Sequence, residues 1–462
     1  MNFFGYNNNM PHSFQIIDNT SLSWEAACHG FAAVAHNKFS PPKAIFLCAS
    51  PTSLQEALQF VKKEKAPFCL RSGRHNYEGQ SSNAPGGYII DTSGIKTKTW
   101  LGGKAFRLGA GLSQIEIVRY LEKFGCTIPY ATGGTVGLAG LILGGGVGLS
   151  SRTWGTVAHH AIRLHCVFAD GSLRWIEAGS EEAKAIMSSG GGSIAALAEV
   201  EVRAHWRPLI PVFAVTWDAK DALSVLEVLD REGADSDDRL GFVARFGTDG
   251  AVALYGQCNS GGYGTAVQLL KKLIRNAPVP ISTKVVLLPH FLASKQFFRV
   301  TKSQPDGWHA KIGSQLFKSS SAITMEPITA EIAKRLVTLL AEHPKLRGVP
   351  EEVSMVQILV GGGALWNADH AHIPHFKSRV LYQLDGYWLL ESDKNAVLDW
   401  VAQMRGAVAP VSAGSYINYV DSSIPEVQRA ERYFGSSTNT IAAVKKRLDP
   451  ENFFTHDYSL KP

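Results

Sequence analysis

The sequence predicts an α+β protein of two domains, and two observations carry that prediction. From Pro41 to about residue 207, short apolar runs alternate with helical patterns, the mark of an α+β or α/β unit. After Pro208 the character shifts to strand runs in an antiparallel style with amphipathic helices between them, as in a sheet backed by helices. A chain of 462 residues is ample for two large cores.

Residues 1–40 are polar and aromatic without a clear period. Ala44–Cys48 reads as a strand, and Ser53-Leu54-Gln55-Glu56 as a capping box opening a helix to Lys65 with Leu54, Ala57, Leu58 and Val61 on one face. The apolar strand Pro67–Leu70 leads into Arg71-Ser72-Gly73-Arg74-His75-Asn76-Tyr77-Glu78-Gly79, a glycine-punctuated loop with a histidine at its centre. Such loops let backbone N–H groups approach an anion closely. Tyr88–Asp91 and Ala105–Gly111 are strands, and Ser113 caps a helix to about Phe124. A second glycine cluster spans Gly133–Gly148. The strand Arg163–Ala169 ends in the turn Asp170-Gly171-Ser172, and a third glycine run, Ser189–Ser193, precedes a strand at Ala198–His205.

In the second half, Leu240–Arg245, the turn Thr248-Asp249-Gly250 and Ala251–Gln257 form a β-hairpin. Strands recur at Val353–Val360, Arg379–Leu384 and Tyr387–Leu390, with helices at about 264–275, 329–342 and 394–404. The last fifty residues read as structured, closing on a helix end and a proline turn at Lys445–Phe454.

Composition excludes several classes. The net charge of +6 is dispersed, with no basic block of the kind that binds nucleic acid. There is no apolar stretch long enough for a membrane span, and the first residues lack the basic and apolar regions of a signal peptide. A cytoplasmic protein is expected. The six cysteines are far apart with no C-x-x-C pair, which argues against a zinc site or a disulfide framework. His159-His160 reads as a packing or surface pair, because adjacent residues rarely face one ligand. His290, Trp308, His309, His372 and His375 show no metal spacing, and the loop holding His372 and His375, broken by Pro374, reads as lining the pocket or the surface, so no metal is expected. Asn19-Thr20-Ser21 fits a glycosylation sequon by chance.

Taken in order, the motifs resemble one family. The Arg71–Gly79 loop resembles the R-S-G-G-H-x-x-x-G loop of the vanillyl-alcohol-oxidase (PCMH-type FAD-binding) flavoproteins, in their berberine-bridge-enzyme-like branch. Gly133–Gly148 is similar to that branch's C-P-T-V-G-x-G-G-x-x-x-G-G-G-x-G segment. Ser151-Arg152-Thr153-Trp154-Gly155 resembles its S-R-x-Y-G, and Ala169-Asp170-Gly171 its A-D-G turn. Tyr416-Ile417-Asn418-Tyr419-Val420-Asp421 resembles its Y-x-N-Y-x-D strand. Tyr433-Phe434-Gly435 and Asp449–Phe454 resemble its Y-F-G and D-P-x-N-x-F. The matches run from about residue 40 to the end.

The resemblance implies an N-terminal extension (1–40), a PCMH-type FAD-binding domain (41–207), a substrate-binding domain (208–409) and a C-terminal return to the first domain (410–462). FAD would be held by Arg71, Ser72, Gly73, Arg74, His75, Asn76, Gly79, Gln80 and Ser81. Gly133, Gly134, Thr135, Val136, Gly137, Gly140, Leu143, Gly144, Gly145, Gly148 and Asn418 would complete the site. His75 stands where the family attaches the flavin 8α-methyl group. The family's second attachment residue, a cysteine, is Gly133 here, so a monocovalent flavin is implied. Arg74 replaces a glycine and would either carry positive-φ strain or pair with the pyrophosphate.

Val136 matches the position that controls oxygen access, and a small residue there resembles the oxidases. Tyr416, Asn418 and Tyr419 are the candidate catalytic groups. A tyrosinate base would need a pKa lowered from about 10. Strand alternation would put Tyr416 and Asn418 on one face and Tyr419 on the other. The implied function is an FAD-linked oxidase moving hydride from a small, secondary-metabolite-like alcohol or amine to flavin N5, with O2 as acceptor and H2O2 as product. Its partners would be that small molecule and O2, with no nucleic acid and no membrane. The alternatives are a flavin-containing cyclase without net redox change and a non-catalytic flavin-binding protein.

Overall fold

Three β-sheets organise the molecule. They are seen in a computed structural model that describes residues 13–31, 41–298, 316–347, 354–367, 375 and 377–462. The first sheet contains β1 (Gln15–Ile17), β2 (Ala44–Leu47), β3 (Phe68–Arg71) and β4 (Tyr88–Asp91), in the order β1-β2-β4-β3. β2, β4 and β3 are parallel, and β1 closes the edge antiparallel to β2. The helix Pro51–Lys63 links β2 to β3 and buries Leu54, Ala57, Leu58 and Val61. Its cap is Ser50, one turn earlier than the sequence suggests. Ser50 and Ser53 satisfy each other's backbone N–H groups, and Pro51 opens the first turn, where its fixed φ already suits a helix.

The second sheet is built from β5 (Lys98–Gly102) and β6 (Ala105–Gly109), then β8 (Ala161–Val167), β9 (Leu173–Glu177) and β10 (Ala196–Arg203). Its order is β5-β6-β10-β8-β9, all antiparallel. A small ribbon pairs β7 (Cys126–Thr127) with β11 (His205–Trp206). The helix Gln114–Glu122 starts at Ser113 with a true capping box, in which Glu116 accepts from the Ser113 backbone. The C-terminal stretch packs into this part of the molecule: Ile417, Val420, Tyr433, Ile441 and Val444 share one core with Phe106, Ile142 and Leu164.

The third sheet has eight strands: β12 (Leu209–Trp217), β13 (Leu240–Gly247), β14 (Val252–Cys258), β15 (Ser282–Pro289), β16 (Phe317–Thr324), β17 (Met355–Val360), β18 (Val380–Tyr387) and β19 (Ser412–Gly414). The order is β15-β12-β14-β13-β17-β18-β16-β19, antiparallel throughout. Phe242, Ala244, Phe246, Val356, Ile358, Tyr382 and Leu384 pack one face against the helices Ala222–Gly233, Tyr263–Leu273, Ala330–Ala341 and Lys394–Val408. The alternate residues, among them Arg245, Gln357, Gln383 and Asp385, face a cavity on the other side.

Two sequence expectations fail here for physical reasons. In place of two strands at Arg379–Leu384 and Tyr387–Leu390 there is one, β18, which runs unbroken from Val380 to Tyr387, and Trp388–Leu390 lie beyond its end. Gly386 is there for packing: a Cβ on it would lie 2.6 Å from Val397 and 2.7 Å from Val401 of the covering helix. The expected strand Tyr416–Asp421 is a turn, closed by the Tyr419 N–H donating to the Tyr416 carbonyl at 2.8 Å. Val353, Trp308, His309 and His372 lie outside the described residues. Among the described residues no helix is long and apolar enough to cross a membrane.

Candidate functional site

A cavity of about 430 Å³ lies between the glycine-rich segments of the first half and the open face of the third sheet. Its floor is three bare-backbone stretches: the loop after β3, the segment around Gly133–Gly148 and the run Gly190–Gly192. The first two touch directly. A Cβ on Gly73 would sit 2.1 Å from the Gly137 nitrogen, and one on Gly137 would sit 2.4 Å from the Gly73 nitrogen, so only glycine permits this approach. Asn76 shapes the turn, its Oδ1 accepting from the Glu78 and Gln80 backbone N–H groups at 3.0 Å each. Gln80 reaches the cavity, and its Nε2 is buried with no hydrogen-bond partner among the described residues. A glycine cradle with a stranded amide donor fits a phosphate-bearing cofactor.

His75 projects into this cavity. Its Nε2 is 2.8 Å from the Thr135 hydroxyl, and its ring stacks on Phe31 at 4.7 Å. These two neighbours fix the ring and put Nδ1 on the edge away from Thr135. Arg71 and Arg74 line the cavity, but their charges turn beneath the loop. Arg71 pairs with buried Asp91 at 2.7 Å and donates to the Ala27 carbonyl, and Arg74 lies 3.5 Å from the same carboxylate. Burial works against the ionised Asp91, but the two guanidiniums outweigh it and hold its carboxyl below the usual range. Arg74 takes φ +63°, the strained alternative; the guanidinium is held by Asp91 and the Ala26 carbonyl.

Of the other predicted cofactor residues, Ser72, Gly73, Asn76, Ser81, Gly133, Val136, Gly137, Gly140, Leu143 and Gly148 line the cavity. Gly79, Gly134, Thr135, Gly144 and Gly145 stand behind its wall. Gly79 begins the short turn Gln80–Ser82, and the carbonyls of Gly134 and Gly145 accept from Ile115 and Ala158. Thr135 supports His75, and Gly144 packs beneath the Asn418 amide.

The turn at 416–421 overturns the strand-alternation argument. Residues three apart in a turn converge, so Tyr416 and Tyr419 both line the cavity, their rings 5.0 Å apart and nearly perpendicular. Tyr419 also stacks on Tyr77 at 5.4 Å. Asn418 binds its neighbours, donating to the Leu141 carbonyl at 3.1 Å and the Tyr416 oxygen at 3.0 Å. The Tyr416 oxygen accepts a second bond from the Val147 N–H. No lowered tyrosine is found in this cluster. Burial pushes Tyr416 up to about 12 and raises Tyr419 and Tyr77 further.

A further cavity group, which the motifs did not reveal, is Asp385. It lies on the cavity face of β18, and burial pushes its carboxyl up to about 6. Gln383 donates to both its oxygens, at 3.2 and 3.0 Å. Sequence reasoning also left Gly190–Gly192, Arg245 and Gln357 unassigned. The glycine run was visible as a motif. The roof residues announce themselves only by alternation in strands far apart in sequence.

The described histidines outside the cavity are engaged with neighbouring groups. His160 Nε2 meets His205 Nε2 at 2.7 Å, and His159 Nδ1 accepts from the Thr156 N–H. His290 is fully buried, and His375, expected to line the pocket or the surface, is half-buried beside Gly414 and away from this cavity. Among the described residues no group of three candidate ligands occurs.

Comparison with known proteins gives this geometry its class. Residues 42–177 match the FAD binding domain family, and residues 415–461 match the berberine and berberine-like family. An uncharacterized FAD-linked oxidoreductase, YgaK of Bacillus subtilis (strain 168), is 26% identical over 91% of this chain and 91% of its own. The reticuline oxidase of Eschscholzia californica is 22% identical over 92% of this chain and 84% of its own. The solved structure of Physcomitrella patens BBE-like 1 superposes with a TM-score of 0.87 at 20% identity, covering 97% of each chain. Fold and site are those of an FAD-linked oxidoreductase, with FAD as cofactor. The chain thus carries an FAD binding domain and a berberine-like domain, and over its length it is similar to the berberine-bridge-enzyme-like, PCMH-type FAD-binding flavoproteins.

Proposed function

We propose that this enzyme is an oxidase of small organic alcohols or amines, that it uses O2 and releases H2O2, and that His75 alone bonds its flavin. The observation that carries the reading is the juxtaposition of an anchored histidine on the cavity floor with a near-neutral carboxyl on its roof. Bound FAD supplies what side chains lack, uptake of a hydride and return of two electrons to O2.

In this reading residues 41–207 and 410–462 hold the cofactor and 208–409 the substrate. The Gly73 and Gly137 loops and the Gln80 amide receive the pyrophosphate. His75, steadied by Thr135 and Phe31, presents Nδ1 for the covalent bond, and Gly133 offers no thiol for a second. Asp385, ionised above its pKa of about 6, accepts the proton of the substrate O–H or N–H as the neighbouring C–H loses hydride. Tyr416 keeps its proton and orients the substrate heteroatom, its oxygen already accepting from Val147 and Asn418. Val136 borders the cavity where O2 would approach.

Acid precipitation tests the bond: the pellet should stay yellow in the native protein and turn colourless in His75→Ala, with free FAD in the supernatant. Stopped-flow mixing tests the reaction. Bleaching of the flavin band by alcohols or amines, with peroxide release in air, is expected. Product formed while the flavin stays oxidised would instead establish a cyclase.

A further inference from the structure

The roof carries one charge that the chemistry above does not use. Arg245 lies on the cavity face of β13, directly across from Gln357 on β17, which is directly across from Gln383 on β18. The two glutamines form an ordered relay. Gln357 Nε2 donates to Gln383 Oε1 at 3.2 Å, and Gln383 Nε2 donates on to Asp385. Arg245 stands at the far end of this row. Its Nε is buried without a hydrogen-bond partner among the described residues, and along the row its charge acts on Asp385 only at a distance, holding that carboxyl down against the rise that burial causes.

The other arginines near the cavity show how unusual this is. Arg71 and Arg74 share Asp91, and buried Arg152 donates to Ser236, Leu240 and Ala234. Arg245 is half-buried, and a guanidinium N–H withdrawn from water without an acceptor, as its Nε is, is costly. Asp385 is the sole carboxylate lining the cavity among the described residues; it lies at the other end of the row, where Gln383 donates to both its oxygens. The roof therefore has a cation with an unmet demand for a planar, two-oxygen acceptor.

We propose that Arg245 anchors a carboxylate of the substrate, so that the enzyme acts on small organic acids carrying an oxidisable alcohol or amine elsewhere in the molecule. A carboxylate matches the guanidinium fork with two parallel bonds. Arg245 and the Gln383 position are two strand spacings apart, roughly 10 Å. An acid anchored at Arg245 would lie along the row, its body against Val243, Met355 and Leu359, its reacting end beneath Asp385. This assignment rests on the reading that the third sheet covers the substrate.

The test is an equilibrium titration of the flavin-loaded enzyme with 4-(hydroxymethyl)benzoate and with the matching amide, followed by flavin absorbance. The native protein should bind the acid about tenfold more tightly than the amide or better. Arg245→Met should erase that preference by weakening the acid alone, and Arg245→Lys should keep part of it. Equal binding of acid and amide, no spectral change with either, or a preference that survives in Arg245→Met would overturn the proposal. So would a fall in flavin content of Arg245→Met, which would place the guanidinium on the cofactor. Asp385→Asn separates the two readings: it should keep the acid preference whether or not the enzyme proves to be an oxidase.

Discussion

The floor and the roof of the cavity are built on opposite plans. The floor is backbone: glycines pressed against one another, with the nearby charges of Arg71, Arg74 and Asp91 satisfied within the protein. The roof is side chain: a row of polar groups on an antiparallel sheet, with Asp385 held near 6 and the buried Arg245 Nε without a hydrogen-bond partner among the described residues. A floor whose groups are spent on each other suits one constant ligand held permanently. A roof with unspent groups is completed only by what enters. Variation in such a roof would change the substrate and leave the cofactor in place.

Asp385→Asn should separate the two plans most sharply. An amide keeps the shape and much of the hydrogen bonding to Gln383 but accepts no proton, so turnover should fall by roughly 10²–10⁴-fold. Flavin content should not change. The pH profile carries the same information. Because the carboxyl is raised to about 6, it holds a proton below that pH and cannot take another. The rate of flavin reduction should therefore rise with pH through about 6 and level off above it, and the variant should lose this limb. A variant that bleaches at the native rate would remove Asp385 from the chemistry.

A smaller effect is expected where floor and roof are joined. Lys318 of β16 pairs with Glu78 of the floor loop and, at 2.8 Å, with Asp421 at the end of the tyrosine turn. Asp421 also pairs with Arg405 at 2.8 Å and accepts from Ser320. All three partners of the central cluster are nearly inaccessible. Lys318→Met would leave buried Glu78 without its cation and Asp421 with Arg405 alone, at a cost of about 3–5 kcal/mol. Burial opposes the ionised Asp421, yet Lys318 and its hydrogen bonds bring it down to about 2. A depressed carboxyl stabilises the fold above its unfolded pKa of about 3.9, and that contribution is lost as pH falls towards 2. Denaturant titrations across this acid range should show the loss in the native protein and much less of it in the variant.

Gly137→Ala probes the floor alone. Its Cβ would meet the Gly73 nitrogen at 2.4 Å, and both partners are backbone, so the loops must part. Overpacking of this kind costs about 1–3 kcal/mol. The measurable result should be a lower flavin content, with the flavin that remains reduced by substrate at an unchanged rate. Normal loading would show that the two loops are free to separate.

What the sequence made legible follows the same division. The floor was readable because it is written locally: His75, Gly73 and Gly137 sit in runs whose spacing alone suggests an anion cradle. The roof was not, because Arg245, Gln357 and Asp385 are single residues in three separated strands, and only pairing register brings them together. The unbroken β18 was hidden for the same reason, since Gly386 is explained only by the helix packed over it. The tyrosines failed for a related reason. Tyr416–Asp421 has a strand-like composition, and alternation then separates Tyr416 from Tyr419, whereas the turn joins them. Arg74 was legible as a choice between strain and pairing, and the structure shows the strain, with the guanidinium turned to Asp91.

The smallest predicted effect tests how far the floor is prepared before the cofactor is joined to it. Thr135 does not line the cavity, and its part is to hold His75 Nε2 at 2.8 Å. Thr135→Val keeps the volume and removes that bond, a change of about 0.5–1.5 kcal/mol. If the hydroxyl merely fills space, flavin attachment and stability should both be unaffected. If it sets the ring, stability should shift little while the covalently held fraction of flavin, measured in the acid pellet early after expression, falls several-fold and recovers with time. Phe31 still stacks on the ring in this variant, so His75 would be loosened rather than lost. A variant that attaches flavin at the native rate would mean that stacking suffices, and that the floor's precision lies in its backbone alone.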